Sequence, residues 1–236
     1  MQIQVLSDPE AVAQAAAQSI AAEARAAVAA RGRFIMAVSG GKTPWQMLRA
    51  LANEEVPWAE VHIVQVDERI APSGDPDRNL THLRESLLSH APLPPTQIYP
   101  MPVESPDLES AALDYAKVLE SIAGSPPVLD LVHLGLGPDG HTASLIPGDL
   151  VLEVADADVA LTGVYQGRRR MTLTYPLIHR ARRILWLATG AEKVAMLARL
   201  LEGDPTIPAG RVGLGNSLIL VDEAAGKSLA PHELQP

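Results

Sequence analysis

Phe34-Ile35-Met36-Ala37-Val38-Ser39-Gly40-Gly41-Lys42-Thr43-Pro44-Trp45-Gln46-Met47-Leu48-Arg49-Ala50-Leu51 changes character twice within a short span. Its first five residues are apolar without a break, which suits a strand covered on both faces. Two glycines then allow a tight turn, and Thr43 to Leu51 reads as a helix. Strand, glycine turn and helix in that order form the repeating unit of an α/β fold.

The same alternation continues outward. Upstream, Ile3 to Leu6 reads as a strand, followed by a long helix to Ala30 that opens near Asp8-Pro9, with Asp as N-cap and Pro at the first helical position. Downstream come a strand at Val61 to Val66, a polar loop at Ala71 to Asp77 and a helix over Asn79 to Leu88. A Pro-rich connector, Ala91 to Pro106, leads to a helix at Leu108 to Ile122 and a strand at Leu129 to Leu134. Strands near Val159 to Val164, Arg170 to Thr174 and Ile184 to Ala188 follow, then a helix at Glu192 to Leu201 and a closing strand at Ser217 to Val221. The order predicts an α/β fold with a mostly parallel sheet covered on both faces, in a single domain over residues 1–236. In such sheets ligands bind beyond the carboxyl ends of the strands.

Composition narrows the function. With 47% hydrophobic residues the chain can bury a sizeable core, but only 3% are aromatic, which leaves few rings for stacking nucleic-acid bases. The net charge of −9 opposes binding to nucleic acid or an anionic membrane, and leaves a small anionic substrate held by a local cationic cluster. No cysteine is present, so disulfides, thiol nucleophiles and Cys-bound zinc are excluded. Met1 to Asp8 has neither a basic nor an apolar leader segment, and the Ala-rich stretch after Pro9 carries Glu10, Glu23 and Arg25, unlike a membrane span. A cytoplasmic protein is expected.

Four segments at strand ends carry chemistry. Ser39-Gly40-Gly41-Lys42-Thr43-Pro44 joins a strand to a helix, so its backbone N–H groups, the Thr43 hydroxyl and the helix N-terminus offer a phosphate cradle, or else a plain strand-to-helix turn; it has neither Walker A nor dinucleotide spacing. Asp67-Glu68-Arg69 offers acids for proton transfer beside a phosphate-binding cation, or else a solvated loop. Leu134-Gly135-Leu136-Gly137-Pro138-Asp139-Gly140-His141 packs three glycines into six residues ahead of a histidine. That backbone is built to pass close to something, and Asp139 or a carbonyl can orient a neutral His141 as general base. Thr189-Gly190-Ala191-Glu192-Lys193 places Lys193 in the first turn of a helix, where a cation opposes the helix dipole unless an anion offsets it. Arg170 is a further cationic candidate. The runs Arg168 to Arg170 and Arg180 to Arg183 otherwise read as solvated or salt-bridged surface.

Taken together with Arg170-Met171-Thr172-Leu173-Thr174 and Val221-Asp222-Glu223-Ala224-Ala225, these motifs resemble the 6-phosphogluconolactonase family, in order over most of the chain. Gly135 to Leu145 is the most specific part of the match. The resemblance implies a Rossmann-like three-layer α/β/α fold, in the superfamily that also contains glucosamine-6-phosphate deaminase. It implies hydrolysis of a phosphosugar lactone in the oxidative pentose phosphate pathway, with no metal and no organic cofactor. It places the general base at His141 with Asp139 beside it, and phosphate contacts at Thr43, Arg69 and Lys193 with Gly40 and Gly41 in the cradle. Lys42 and Arg78 stand where the family often has Ser, and so add candidate positive charge; Ile146 stands where it often has Phe.

The expected mechanism has phosphate held by Gly41, Thr43, Arg69 and Lys193, while His141 takes a proton from water attacking the lactone carbonyl. Backbone N–H groups of a Gly-rich turn or Arg170 hold the oxyanion, and Asp67 is a third candidate catalytic residue. Two rivals remain. A glucosamine-6-phosphate deaminase uses an acid five positions after the histidine and an aromatic after Asp-Glu, where this chain has Ile146 and Arg69. A non-catalytic sugar-phosphate sensor would have no use for Asp139 and His141 together. A monomer or weak homodimer is expected, without nucleic-acid or membrane partners.

Overall fold

The computed structural model describes residues 1–229. Its centre is a seven-stranded sheet in the order β1 (Gln2–Leu6), β10 (Ser217–Asp222), β9 (Arg183–Ala188), β6 (Leu131–Gly135), β2 (Phe34–Val38), β3 (Val61–Gln65) and β5 (Ile98–Tyr99). Every pairing in it is parallel. Parallel strands bury both faces, and the residues alternate accordingly. Phe34, Met36 and Val38 pack on one side with α1 (Pro9–Arg31) and α2 (Lys42–Leu51). Ile35 and Ala37 pack on the other, in the core shared with α4 (Leu108–Ala123), α5 (Tyr175–Arg180) and α6 (Val194–Leu201). Truncating a fully buried side chain such as Leu48 to Ala costs about 2–5 kcal/mol.

The end signals of α1 match their sequence. Asp8 accepts from Ala11 N–H at 2.8 Å, Pro9 occupies the first turn, and Gly32 closes the helix at φ 74° with its N–H on the Val28 carbonyl. Chain direction across the sheet reverses between β2 and β6, which are hydrogen-bonded neighbours. The loops leaving their carboxyl ends therefore face each other across a crevice, as this topology requires.

The structure departs from expectation in four places. The Pro-rich connector contains β5, whose two residues form the sheet edge next to β3. The helix expected over Asn79 to Leu88 is a short α3 (Asn79–Leu83) that widens into a π turn over Arg84–Leu88. The segment after Thr174 is α5, which sequence reading left unassigned. Finally, the strands near Val159 and Arg170 do not join the main sheet. β7 (Val159–Leu161), β8 (Arg170–Leu173) and β4 (Asp67–Arg69) form a separate antiparallel sheet in the order β4-β8-β7. Asp67-Glu68-Arg69 is thus a strand of its own, directly opposite Arg170-Met171-Thr172.

Candidate active site

One cavity of about 400 Å³ opens at the carboxyl ends of β2 and β6. Its lining includes Gly40, Gly41, Lys42, Thr43, Asp67, Arg69, His141, Arg170 and Lys193, so nearly every residue singled out from sequence meets there. The β2 loop forms one wall. Gly41 is the N-cap of α2 at φ 132°, a conformation side chains rarely adopt, so the turn depends on glycine. Gly40 is fixed by space instead, because a Cβ there would meet the Asn79 amide oxygen at 2.0 Å. Thr43 Oγ1 lies 2.8 Å from Thr189 Oγ1, tying the cradle to the turn after β9.

The β6 loop forms the facing wall. His141 Nδ1 is 2.5 Å from Asp139 Oδ1, and the same oxygen accepts the His141 backbone N–H at 3.1 Å. A carboxylate only accepts, so Nδ1 carries a proton, and in the neutral ring Nε2 is then left bare. Among the described residues Nε2 has no hydrogen-bond partner, and the ring lines the cavity. The glycines have a reason here. A Cβ at Gly137 would sit 2.2 Å from His141 Nδ1, and Gly140, at φ 81°, would strike Ile207. The imidazole lies against bare backbone.

Tyr165, which sequence reading missed, donates to the other Asp139 oxygen at 2.9 Å. The Asp139 carboxyl sits below its usual range: burial raises it, and the hydrogen bonds and charge of His141, with the Tyr165 hydroxyl, more than offset that. Tyr165 also carries the Arg170 guanidinium 5.0 Å above its ring. Arg170 is buried, with Nη1 3.4 Å from Ser144 Oγ, Nη2 3.3 Å from Gln166 Oε1 and Nε unpartnered. Burial pulls its guanidinium below the ordinary value, while Asp67 works in the opposite direction.

Lys193 sits in the tight turn Ala191–Lys193 just before α6 rather than inside the helix, and its Nζ donates to the Leu136 carbonyl at 2.8 Å. Asp222, at the end of β10, accepts the Gly190 N–H on both oxygens at 3.0 Å and so anchors that turn. Arg69 donates to the Asp77 carbonyl at 2.6 Å, with its Nε buried and free.

The two acids of Asp67-Glu68 separate. Asp67 lines the cavity, accepting from Ser144 Oγ at 2.6 Å and from Asn79 Nδ2 at 3.2 Å. Glu68 is wholly buried behind it, accepting the backbone N–H groups of Arg69, Asn79 and Leu80 and pairing with Arg78 at 3.1 Å. Arg78, expected as added charge for the cavity, does not line it: it is buried between Glu68, Glu104 and the Ala71 carbonyl, where it holds the loop before α3. His133 was also missed. Fully buried on β6, its Nδ1 accepts the Ser39 N–H at 3.2 Å while Ser39 Oγ donates to the His133 carbonyl at 2.9 Å, which pins the start of the cradle. Among the described residues no cluster of three His, Asp or Glu side chains is placed to hold a metal ion.

Residues 7–220 match the family of glucosamine-6-phosphate isomerases and 6-phosphogluconolactonase. The chain belongs to that family. A 6-phosphogluconolactonase of Synechocystis is 37% identical over 98% of this chain and 99% of its own length. The crystal structure of a 6-phosphogluconolactonase from Thermotoga maritima superposes with a TM-score of 0.83 at 26% identity, covering 94% of this chain and 98% of the other. A monomeric glucosamine-6-phosphate deaminase superposes equally well, at a TM-score of 0.84 and 20% identity over 96% of this chain and 99% of the other. Both branches of the family therefore share this fold, and individual residues must separate them. Ile146, in the position expected to carry an acid in the deaminase, is apolar and buried.

Proposed function

We propose that this chain is a 6-phosphogluconolactonase that hydrolyses 6-phospho-D-glucono-1,5-lactone to 6-phospho-D-gluconate in the oxidative pentose phosphate pathway, with His141 as the general base. End-to-end similarity to curated 6-phosphogluconolactonases supports the reaction. The observation that carries the mechanism is the bare Nε2 of a carboxylate-held imidazole, in a cavity also lined by Lys42, Arg69, Arg170 and Lys193. A phosphoryl group binds the Gly40–Gly41–Thr43 cradle with Arg69 and Lys193, and Lys42 adds charge at the first turn of α2. The lactone ring then reaches His141. Nε2 takes a proton from water as it attacks the C1 carbonyl, and Asp139 stabilises the imidazolium. The carbonyl oxygen, gaining negative charge, is held by Arg170, whose N–H groups are fixed in advance by Tyr165, Ser144 and Gln166. The protonated His141 returns its proton to the departing ring oxygen. Asp67 acts on Arg170 through Ser144 rather than on the substrate, since its oxygens already accept from Ser144 and Asn79.

No helix among the described residues is long and apolar enough to cross a membrane. The proposal places the enzyme in the cytoplasm as a monomer or weak homodimer, without nucleic-acid partners; the net charge of −9 supports the last of these alone. The test uses freshly made lactone and, separately, glucosamine 6-phosphate. Acid release well above the spontaneous rate, unchanged by a chelator and with no ammonia from the amino sugar, is expected. Ammonia release would return the deaminase reading, and binding of 6-phosphogluconate without acceleration would return the sensor.

A further inference from the structure

We propose that Tyr165 is a positioning residue for the hydrolysis, its hydroxyl fixing Asp139 and, through Asp139, the ring of His141. This rests on His141 being the base. Three contacts converge on the one side chain. The hydroxyl donates to Asp139 Oδ2 at 2.9 Å, while Oδ1 of the same carboxylate serves His141. The ring stands edge-on to the imidazole, with centroids 5.6 Å apart and planes at 67°. Its face carries Arg170. A carboxylate held on one oxygen alone is free to swing about its own bond and take the imidazole with it. With a donor on each oxygen it is not.

The backbone aims this hydroxyl. Tyr165 and Arg168 exchange backbone hydrogen bonds at 2.9 and 3.3 Å, closing a two-residue hairpin whose tip, Gln166 and Gly167, has φ of 51° and 81°. Positive φ at both tip residues is the turn that matches strand twist in short hairpins. Arg168 then pairs with Asp75 at 3.0 Å and Asp77 at 3.1 Å, which ties the hairpin to the loop after β4. Burial and the Asp139 charge raise the Tyr165 phenol above its ordinary value, with Arg170 opposing, so the hydroxyl stays a donor at working pH.

The charged groups around the Asp139–His141 pair come from several elements: Arg170 on β8, Asp67 and Arg69 on β4, Lys42 on α2, and Glu192 with Lys193 before α6. Among the described residues Tyr165 alone makes a side-chain hydrogen bond to Asp139 Oδ2. Removing it concentrates negative charge on the carboxylate facing the imidazole, which then holds its proton more tightly.

Tyr165→Phe keeps the ring and deletes the hydroxyl. The expected result is a kcat lower by roughly tenfold, the order for one hydrogen bond to a charged group, with KM nearly unchanged. The acid limb of the kcat/KM–pH profile moves to higher pH, and the melting temperature and 6-phosphogluconate binding stay as in the parent. Placed on Asp139→Asn, the same change produces no further loss. Arg168→Ala, which loosens the hairpin without touching Asp139, gives a milder loss of the same kind and serves if the Phe variant folds poorly. A Tyr165→Phe enzyme with parental kcat and pH profile, an effect on KM alone, or a full additional loss on Asp139→Asn would each overturn the proposal. His141→Asn separates the two levels: if it is inactive while Tyr165→Phe is normal, only the Tyr165 role fails, whereas an active His141→Asn removes the base and this inference with it.

Discussion

His133 and His141 stand eight residues apart on one segment, and the fold uses them in opposite ways. His133 lies inside the central sheet with no exposed surface, and burial pushes its imidazole down to about 3. Its partner is a backbone N–H, which can only donate, so Nδ1 accepts and the proton sits on Nε2. That Nε2–H has no partner in the interior. His141 has the reverse arrangement. Its partner is a carboxylate, its Nδ1 donates, and its Nε2 lone pair faces a cavity. What separates them is the turn through Gly135, Gly137 and Gly140, which carries the chain out of the sheet and clears space for a ring. Chemistry here follows from the partner of one nitrogen, not from the residue type.

The largest effect that sharpens this contrast is on turnover. His141→Asn should lower kcat by a factor on the order of 10²–10⁴ while 6-phosphogluconate still binds, as measured by stopped-flow acid release and calorimetry. Near-parental turnover would break the contrast outright. Next is Gly137→Ala, which should lower kcat on the order of 10²-fold, because the added methyl occupies the place of His141 Nδ1 and displaces the ring. A variant equally active would mean the ring position is not critical. Lys193→Met should act differently from both, raising KM by roughly tenfold with a smaller change in kcat, as expected for loss of a cation that binds phosphate in ground and transition state alike.

The smallest effect belongs to His133 and appears in stability. Its unfolded value is near 6.5 and its folded value about 3, so between those limits only the unfolded chain binds the proton. Folding stability should therefore decline as pH falls below about 6.5 and level off below the folded value. His133→Gln removes the titrating group, so the variant should lose less stability than the parent between about pH 6.5 and 4.5 in urea unfolding. It should also start about 1–3 kcal/mol less stable at neutral pH, through the disturbed Ser39 hydrogen bonds. Identical pH slopes for parent and variant would contradict the buried neutral assignment.

The same contrast explains what was legible in the sequence. The alternating strands and helices, and three glycine turns at strand ends, were readable because each turn leaves a local mark: an apolar run followed by Gly, directly or after a single Ser or Thr. His141 and Asp139 lie inside such a mark. His133 lies inside the apolar run itself, where nothing in the residues nearby reveals a polar task. Tyr165 sits on a polar hairpin far along the chain from Asp139, and only the pairing of β8 with β4 and β7 brings it home. Two strands of that small sheet were read, near Val159 and Arg170, but β4 and the separation from the main sheet were not, because strands of three or four residues show too little alternation to reveal their partners. The charges of Asp67-Glu68-Arg69 and Arg78 were visible, but not which would be buried together. Glu68 and Arg78 neutralise each other under the loop, while Asp67 and Arg69 face the cavity.

The central claim is that the two imidazoles exist as opposite tautomers, and nitrogen-15 NMR of histidine-labelled protein reads this directly. At neutral pH the account predicts a protonated Nδ1 and bare Nε2 for His141, and a protonated Nε2 with an accepting Nδ1 for His133, the signals being assigned with the His141→Asn and His133→Gln variants. A proton found on His141 Nε2 while Nδ1 stands bare would leave no lone pair toward the lactone and would contradict the account.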